Sequence, residues 1–245
     1  MIGIMQKGLI SVLLFSSLVA VGQLVNIPEG TANSGKLESG DEMVKGEIHQ
    51  ITELRPGDIL VKANHNWLPG TAQVFGGKGF GHAALVIKGA KDTNLLQLLR
   101  KTVIFESHSR EVAPEFQLRQ APAYLPGSDF RYASITFGPR NFGYCFLLRP
   151  SLSPEETKQL IAFVTGMDGG TSSWRAQKRF DTQPKKPATG QEGNWYCSLL
   201  IWQAFYTLFD IDLDPNARIM VYPNDLITSP YFDNKPGREA ARIRF

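Results

Sequence analysis

Cysteine is scarce in this sequence: Cys145 and Cys197 are the two in 245 residues. A disulfide framework is therefore excluded, and one bridge between these two is the most the chain can form with itself. The four histidines, His49, His65, His82 and His108, show neither H-E-x-x-H nor C-x-x-C spacing, so a zinc site finds little support and no metal is expected. No run of five or more Lys or Arg occurs, and the net charge is only +3, which argues against a nucleic-acid partner. The glycine-rich stretch GGKGFGH lacks the G-x-x-x-x-G-K-S/T pattern and leads toward a strand, so nucleotide binding is not expected. No internal repeat is found, and no cofactor is expected.

What is present starts at the N-terminus. Lys7 precedes an apolar run from Gly8 to Val21, and Ala20 and Gly22 are small residues at −3 and −1 of a cut before Gln23. This is the pattern of a secretory signal peptide over residues 1–22. The run is short of the roughly 20 apolar residues that span a bilayer; the alternative is an uncleaved anchor, the one expected membrane contact. No cysteine follows it, so a lipoprotein signal is excluded. Residues 23–47 are polar and rich in Gly, Ser and Glu, a flexible linker. Residues 48–245 are then one domain, exported to the periplasm or the exterior. With 42% hydrophobic residues the chain can supply a core without a staple.

Within the domain, LRPGDILVKA joins a Pro-Gly turn to a strand over Asp58–Ala63. HAALVIKG and KTVIFESHS predict two more strands. In the latter, Val103 and Phe105 share one face, and Ile104, Glu106 and His108 the other. ASITFG and FGYCFLLRP are further strands, with Cys145 a buried apolar position in the second. WLPGTAQVFGGKGFG predicts a short helix and a loop leading to His82. SPEETKQLIAFVTGM carries a capping box, Ser153 with Glu156, and Pro154 at the first turn. After a basic loop, WYCSLLIWQAF starts a helix running to about Asp210, and YPNDLITSPYF a terminal turn or helix. Strands followed by helices predict an α+β domain with one antiparallel sheet.

Cys197 falls in the first turn of its helix if the cap is Gly193 or Asn194. Unpaired N–H groups and the positive helix end stabilise a thiolate there, and can also hold an oxyanion. Leu200, Ile201, Ala204 and Leu208 follow at helical spacing and bury the helix behind it. A cysteine so placed is also compatible with a plain core position or with a bridge to Cys145. A nucleophile needs a base and an orienting group. His82 opens a strand after the glycine loop, and Glu106 is a carboxylate in an otherwise apolar strand, costly to bury without a partner. Both Glu106 and His108 can orient His82. Glu106 is the better partner, because a carboxylate also stabilises the imidazolium.

The series LRPGDIL, GHAALVI, VIFES, WYCSLLIWQAF and YPNDLITSP resembles the circularly permuted papain-like hydrolases of the NlpC kind, the YiiX-like group, over about Leu54 to Phe232. In that permuted order the histidine strand precedes the cysteine helix. The resemblance implies a barrel-like antiparallel sheet packed against the Cys helix, with Cys197 as nucleophile, His82 as base and Glu106 as third member. His108 is a supporting candidate, as is Asp58, which matches a recurring strand-start residue. It further implies a cysteine hydrolase of the peptidase or amidase class, with a peptide or acyl-amide substrate such as peptidoglycan fragments.

Two alternatives stand beside it. One is acyl hydrolysis or transfer on lipids, of the lecithin retinol acyltransferase-like kind, with Trp67, Phe75, Phe80 and Trp195 lining an apolar cleft or simply filling the core. The other is a non-catalytic binding module. The loop from Gln177 to Gly193 is expected to border the cleft, its Lys178, Arg179, Lys185 and Lys186 either meeting substrate carboxylates or lying solvated.

Overall fold

The computed structural model describes residues 47–64, 81–108, 113–126, 136–180 and 195–245. The segment expected to be a signal peptide, nearly all of the expected linker, the stretch expected to form a short helix, and His65, Trp67, Phe75, Phe80, Lys185 and Lys186 lie outside the described residues.

The domain is α+β, as the order of elements predicts. Strands β1 (Glu53–Leu54), β2 (Ile59–Lys62), β3 (His82–Lys88) and β4 (Ala90–Lys91) are followed by helix α1 (Leu95–Lys101). Then come β5 (Val103–Ser107), β6 (Leu118–Pro122) and β7 (Cys145–Arg149), helices α2 (Pro154–Thr165), α3 (Cys197–Phe209) and α4 (Pro223–Ile227), and β8 (Ala241–Arg244). Six strands form one antiparallel sheet in the order β6-β5-β3-β2-β7-β8, and β1 pairs with β4 beside it. Among the described residues this sheet is open, with β6 and β8 at its edges.

Alternation along the strands divides the core into two layers. Ile59, Val61, Ala83, Leu85, Phe105 and Phe146 meet the helices α2, α3 and α4 on one face. Leu60, Ala84, Val86, Ile104, Cys145 and Leu147 meet Leu98, Leu99, Phe137 and Phe245 on the other. Both faces are covered, which explains why β2 is buried along its whole length. Among the described residues no helix is long and apolar enough to cross a membrane.

Local chemistry accounts for the ends of the elements. At the Pro-Gly turn before β2, Gly57 has φ +90°, a conformation that disfavours a side chain. Asp58, just after it, accepts the Arg55 N–H at 2.8 Å and pairs with Arg149 of β7 at 2.7 Å. The capping box of α2 forms as predicted: the Ser153 side chain accepts from Glu156 N–H while Glu156 accepts from Ser153 N–H.

Three elements differ from the expectation. In ASITFG, the described residues Thr136–Gly138 form a turn rather than a strand. Phe137 drops into the core, and Pro139 opens a short 3-10 turn, Pro139–Asn141. Helix α1 was not predicted; Asn94 caps it by accepting from Leu96 and Gln97 N–H. Strand β8 returns to the sheet after the helices, pairing with β7.

Candidate active site

The end of the sheet where β2 and β5 finish and β3 begins brings the chemistry together. Helix α3 starts at Cys197, with Tyr196 as its extended cap, two to three residues later than the Gly193 or Asn194 cap expected. Cys197 is thus its first residue. Val221 braces this start from both sides: its N–H donates to the Tyr196 hydroxyl at 2.8 Å, and its carbonyl accepts from Ser198 Oγ at 2.7 Å. Trp174 stacks on the Tyr196 ring at 5.4 Å. The segment that carries Val221 continues into α4, whose Asn224 forms two hydrogen bonds with the backbone of Asn64, accepting its N–H at 2.7 Å and donating to its carbonyl at 3.0 Å. Gly81, next to His82, lies against this clamp: a Cβ there would come within 3.0 Å of Asn64 and Pro223 side chains. One short segment therefore positions both the start of α3 and the start of β3.

His82 Nε2 lies 2.8 Å from Glu106 Oε2. The other ring nitrogen is left for Cys197, which lines the same cleft and whose thiol acts on the imidazole electrostatically. Glu106 is buried, and its second oxygen, Oε1, accepts from Arg119 Nη2 at 2.8 Å and Nε at 3.0 Å. These contacts follow from register. Glu106 stands opposite Ala84 on β3 and opposite Arg119 on β6, so His82, Glu106 and Arg119 share a sheet face. Arg119 escaped the sequence reading; its one signal is the cation facing inward in the short strand LRQAP. His108 lies near His82, ring centroids 6.2 Å apart, and lines the cleft, while Glu106 makes the contact to the imidazole nitrogen.

The electrostatics follow from burial and partners. Burial works to lower the His82 pKa, but hydrogen bonds to Cys197 and Glu106 outweigh it and raise it to about 10. Burial works to raise Cys197, but the imidazole and the backbone of Ala83 and Ser198 hold it below the usual thiol range. Burial likewise opposes ionisation of Glu106, yet His82 and Arg119 hold it at about 2. Burial drives His108 down to about 4, so this ring is neutral at pH 7. The site sets a thiol of lowered pKa beside an imidazole of raised pKa, backed by the ion pair of Glu106 and Arg119.

A cleft of about 550 Å³ opens onto Cys197 and His82, lined also by Lys62, Ser107, Trp174 and Arg140. Among the described residues there is no cluster of His, Cys, Asp or Glu able to hold a metal ion. Three candidate site residues, Asp58, Lys178 and Trp195, lie elsewhere or serve otherwise, and Cys145 is buried as expected. Asp58 sits at the far end of β2, anchoring Arg149, and does not line the cleft. Lys178 is buried in an ion pair with Asp214 at 2.9 Å, so it meets a carboxylate of its own chain rather than one of a substrate. Trp195 is 1% exposed and packs edge-on against Phe163, a core residue. Cys145 is a free thiol on the opposite sheet face from α3, so no bridge to Cys197 forms. Burial pushes it up to about 12. Iodoacetamide at neutral pH is accordingly expected to alkylate Cys197 and spare Cys145, as read by peptide mass mapping; equal modification of the two would contradict the assigned environments.

No family model matches the chain, and no solved structure matches it. The uncharacterized protein YycO of Bacillus subtilis (strain 168) is 44% identical over 43 residues. The match covers 18% of this chain and 18% of that protein, so the likeness spans under a fifth of either.

Proposed function

We propose that the chain is a thiol-dependent hydrolase of the permuted papain-like, NlpC-type kind, with Cys197 as nucleophile, His82 as acid-base and Glu106 as orienting group. The observation that carries the reading is geometric: a buried carboxylate lies 2.8 Å from one nitrogen of an imidazole that lines the same cleft as the thiol at the tip of α3. The order of elements supports the permuted form, since the histidine strand β3 precedes the cysteine helix α3, which packs on the antiparallel sheet.

In this mechanism the Cys197 thiolate attacks the substrate carbonyl and forms a C–S bond. The oxyanion that results is held by N–H groups in the first turn of α3, which have no partners within the helix. The His82 imidazolium gives its proton to the leaving amine as the C–N bond breaks, leaving a thioester on Cys197. Neutral His82 then takes a proton from water, which attacks the thioester. The acid is released and the thiolate–imidazolium pair restored. Glu106 holds the ring and stabilises each imidazolium.

Amide bonds in cell-wall peptides are the proposed substrate, in keeping with the resemblance and with an exported protein. A second reading, acyl hydrolysis or transfer on lipids, is favoured by the apolar part of the cleft wall, where Trp174, Tyr124, Leu125 and Pro126 lie. Incubation with muropeptides and with lipid esters, quenched in acid and examined by intact mass, tests both. An acyl adduct on Cys197 from muropeptides supports the first and one from lipid esters the second; no adduct from either removes the hydrolase reading.

A further inference from the structure

Strand β5 reads Val103-Ile104-Phe105-Glu106-Ser107, three apolar residues closed by two polar ones. Successive side chains of a strand point to opposite faces, so each face of the sheet receives one polar group. Glu106 takes the face of Ala84 and Arg119, where it meets His82. Ser107 takes the other, the face of Phe105 and Leu118, against which α3 packs. The register that sets Ala84 opposite Glu106 brings Ala83 beside Ser107, and Leu118 of β6 flanks it on the far side.

Ser107 is 4% exposed and lines the cleft with Cys197, His82 and Trp174. Of the buried side-chain polar atoms that lack a hydrogen bond among the described residues, Ser107 Oγ is the one that belongs to the cleft. A buried hydroxyl left unpaired costs free energy, which a polar ligand atom in the cleft would recover. The start of α3 brings donors to the same cleft. Tyr196 gives the first turn no side-chain cap, and Leu200 N–H donates to the Tyr196 carbonyl. The N–H groups of Cys197, Ser198 and Leu199, which precede it, therefore have no partner within the helix. An orphaned hydroxyl on β5 and an uncapped helix start on α3 meet at one cleft.

We propose that Ser107 is a further catalytic residue: its hydroxyl donates to the oxyanion that forms on the substrate carbonyl, beside the N–H groups of the first turn of α3. The inference rests on the hydrolase reading and adds a donor to it. As the Cys197 thiolate forms the C–S bond, the carbonyl π pair moves onto oxygen. That oxygen accepts from Ser107 O–H and from the helix N–H groups. When the pair returns and C=O re-forms, the bond to the leaving group breaks, and Ser107 keeps its proton throughout. A dipole already fixed in place needs no reorganisation as the charge develops. It also gains more from the oxyanion than from the less charged ground-state carbonyl, which is what accelerates the step.

The test uses two reagents that share the nucleophile and differ in the charge they develop. p-Nitrophenyl acetate acylates Cys197 through an oxyanion, whereas iodoacetamide alkylates it without one. Second-order rate constants for both are measured at one pH on the full-length protein and on Ser107→Ala, with peptide mass mapping to place the label. Ser107→Ala is expected to lower acylation about tenfold or more and to leave alkylation within about twofold of the wild type. Its Tm is expected to equal or exceed that of the wild type, because the substitution removes an unpaired buried hydroxyl. Ser107→Gly lacks the same hydroxyl and decides the matter if the alanine protein does not fold. Unchanged acylation would overturn the assignment and leave the hydrolase reading standing. Equal falls in both rates would overturn it too, since the hydroxyl would then act on the thiol or the fold rather than on the oxyanion. A wild-type Cys197 that iodoacetamide alkylates and the ester does not acylate would overturn the hydrolase reading itself.

Discussion

Glu106→Gln is expected to cost about 10- to 100-fold or more in turnover and to weaken the fold as well. The catalytic loss has two sources. The amide can still accept from Arg119 through its oxygen, but its NH₂ then faces His82 Nε2 and donates to it. That hydrogen bond favours the imidazole tautomer with its proton on the nitrogen facing Cys197, the wrong form for taking a proton from that side. The amide also carries no charge to stabilise the imidazolium. The stability loss comes from Arg119, 4% exposed, which loses the carboxylate that balances it. Breaking a buried pair from one side costs about 3–5 kcal/mol. Urea unfolding measures this, and kinetics on one amide substrate measures the rest. The pH dependence has a definite sign. Glu106 is depressed from 4.5 to about 2, so its stabilisation is complete above about pH 4.5 and is lost as the pH falls toward 2. The variant should lack that acid-dependent loss. His108→Asn, by contrast, removes a neutral ring that lines the cleft and should change turnover much less. If His108→Asn proved the crippling change and Glu106→Gln nearly silent, the third member would be His108.

Much of this site can be read from residue order alone, and the reason is periodicity. The stripe Leu200, Ile201, Ala204 behind Cys197 identifies a helix buried along its first two turns, and the structure buries every residue from Cys197 to Phe205. The strand VIFES places Glu106 among apolar neighbours, where a carboxylate must have a partner. What escapes is whatever depends on register between strands or on contacts across long stretches of chain. Arg119 is 13 residues from Glu106, and only the pairing of β5 with β6 sets them opposite each other. Lys178 looks like a solvated loop cation until Asp214, 36 residues later, buries it. Helix α1 is seven residues long, below the length at which an apolar period stands out, and rests on its Asn94 cap. The role of YPNDLITSP is likewise spatial. Asn224 reaches a backbone 160 residues away, so the clamp it forms on Asn64 has no local signature.

Cys197→Ala is the substitution with the largest expected effect, a loss of turnover on the order of 10⁴-fold or more, since removing the nucleophile leaves only binding and the oxyanion donors. That loss by itself says little about how the thiol is held. The more discriminating readout is the neighbouring imidazole. Of the groups that raise His82 against its burial, the hydrogen bond to Cys197 comes first and Glu106 second. With alanine at 197 the burial penalty stays and one of the two opposing contributions is gone. The His82 pKa should therefore fall from about 10, remaining supported by Glu106 alone. Ring-proton NMR titration of the variant beside the wild type measures this without any substrate. Stability should follow with the opposite sense to Glu106. A histidine raised above its ordinary 6.5 contributes stabilisation that is complete below that pH and is lost as the pH rises through about 10, so the variant should lose less stability over that alkaline range than the wild type. The helix should survive, because its start is tied by Tyr196, Ser198 and Val221 rather than by the thiol. An unchanged His82 titration in a folded Cys197→Ala protein would mean that thiol and imidazole are not an ion pair, and the mechanism would have to begin from a neutral thiol instead.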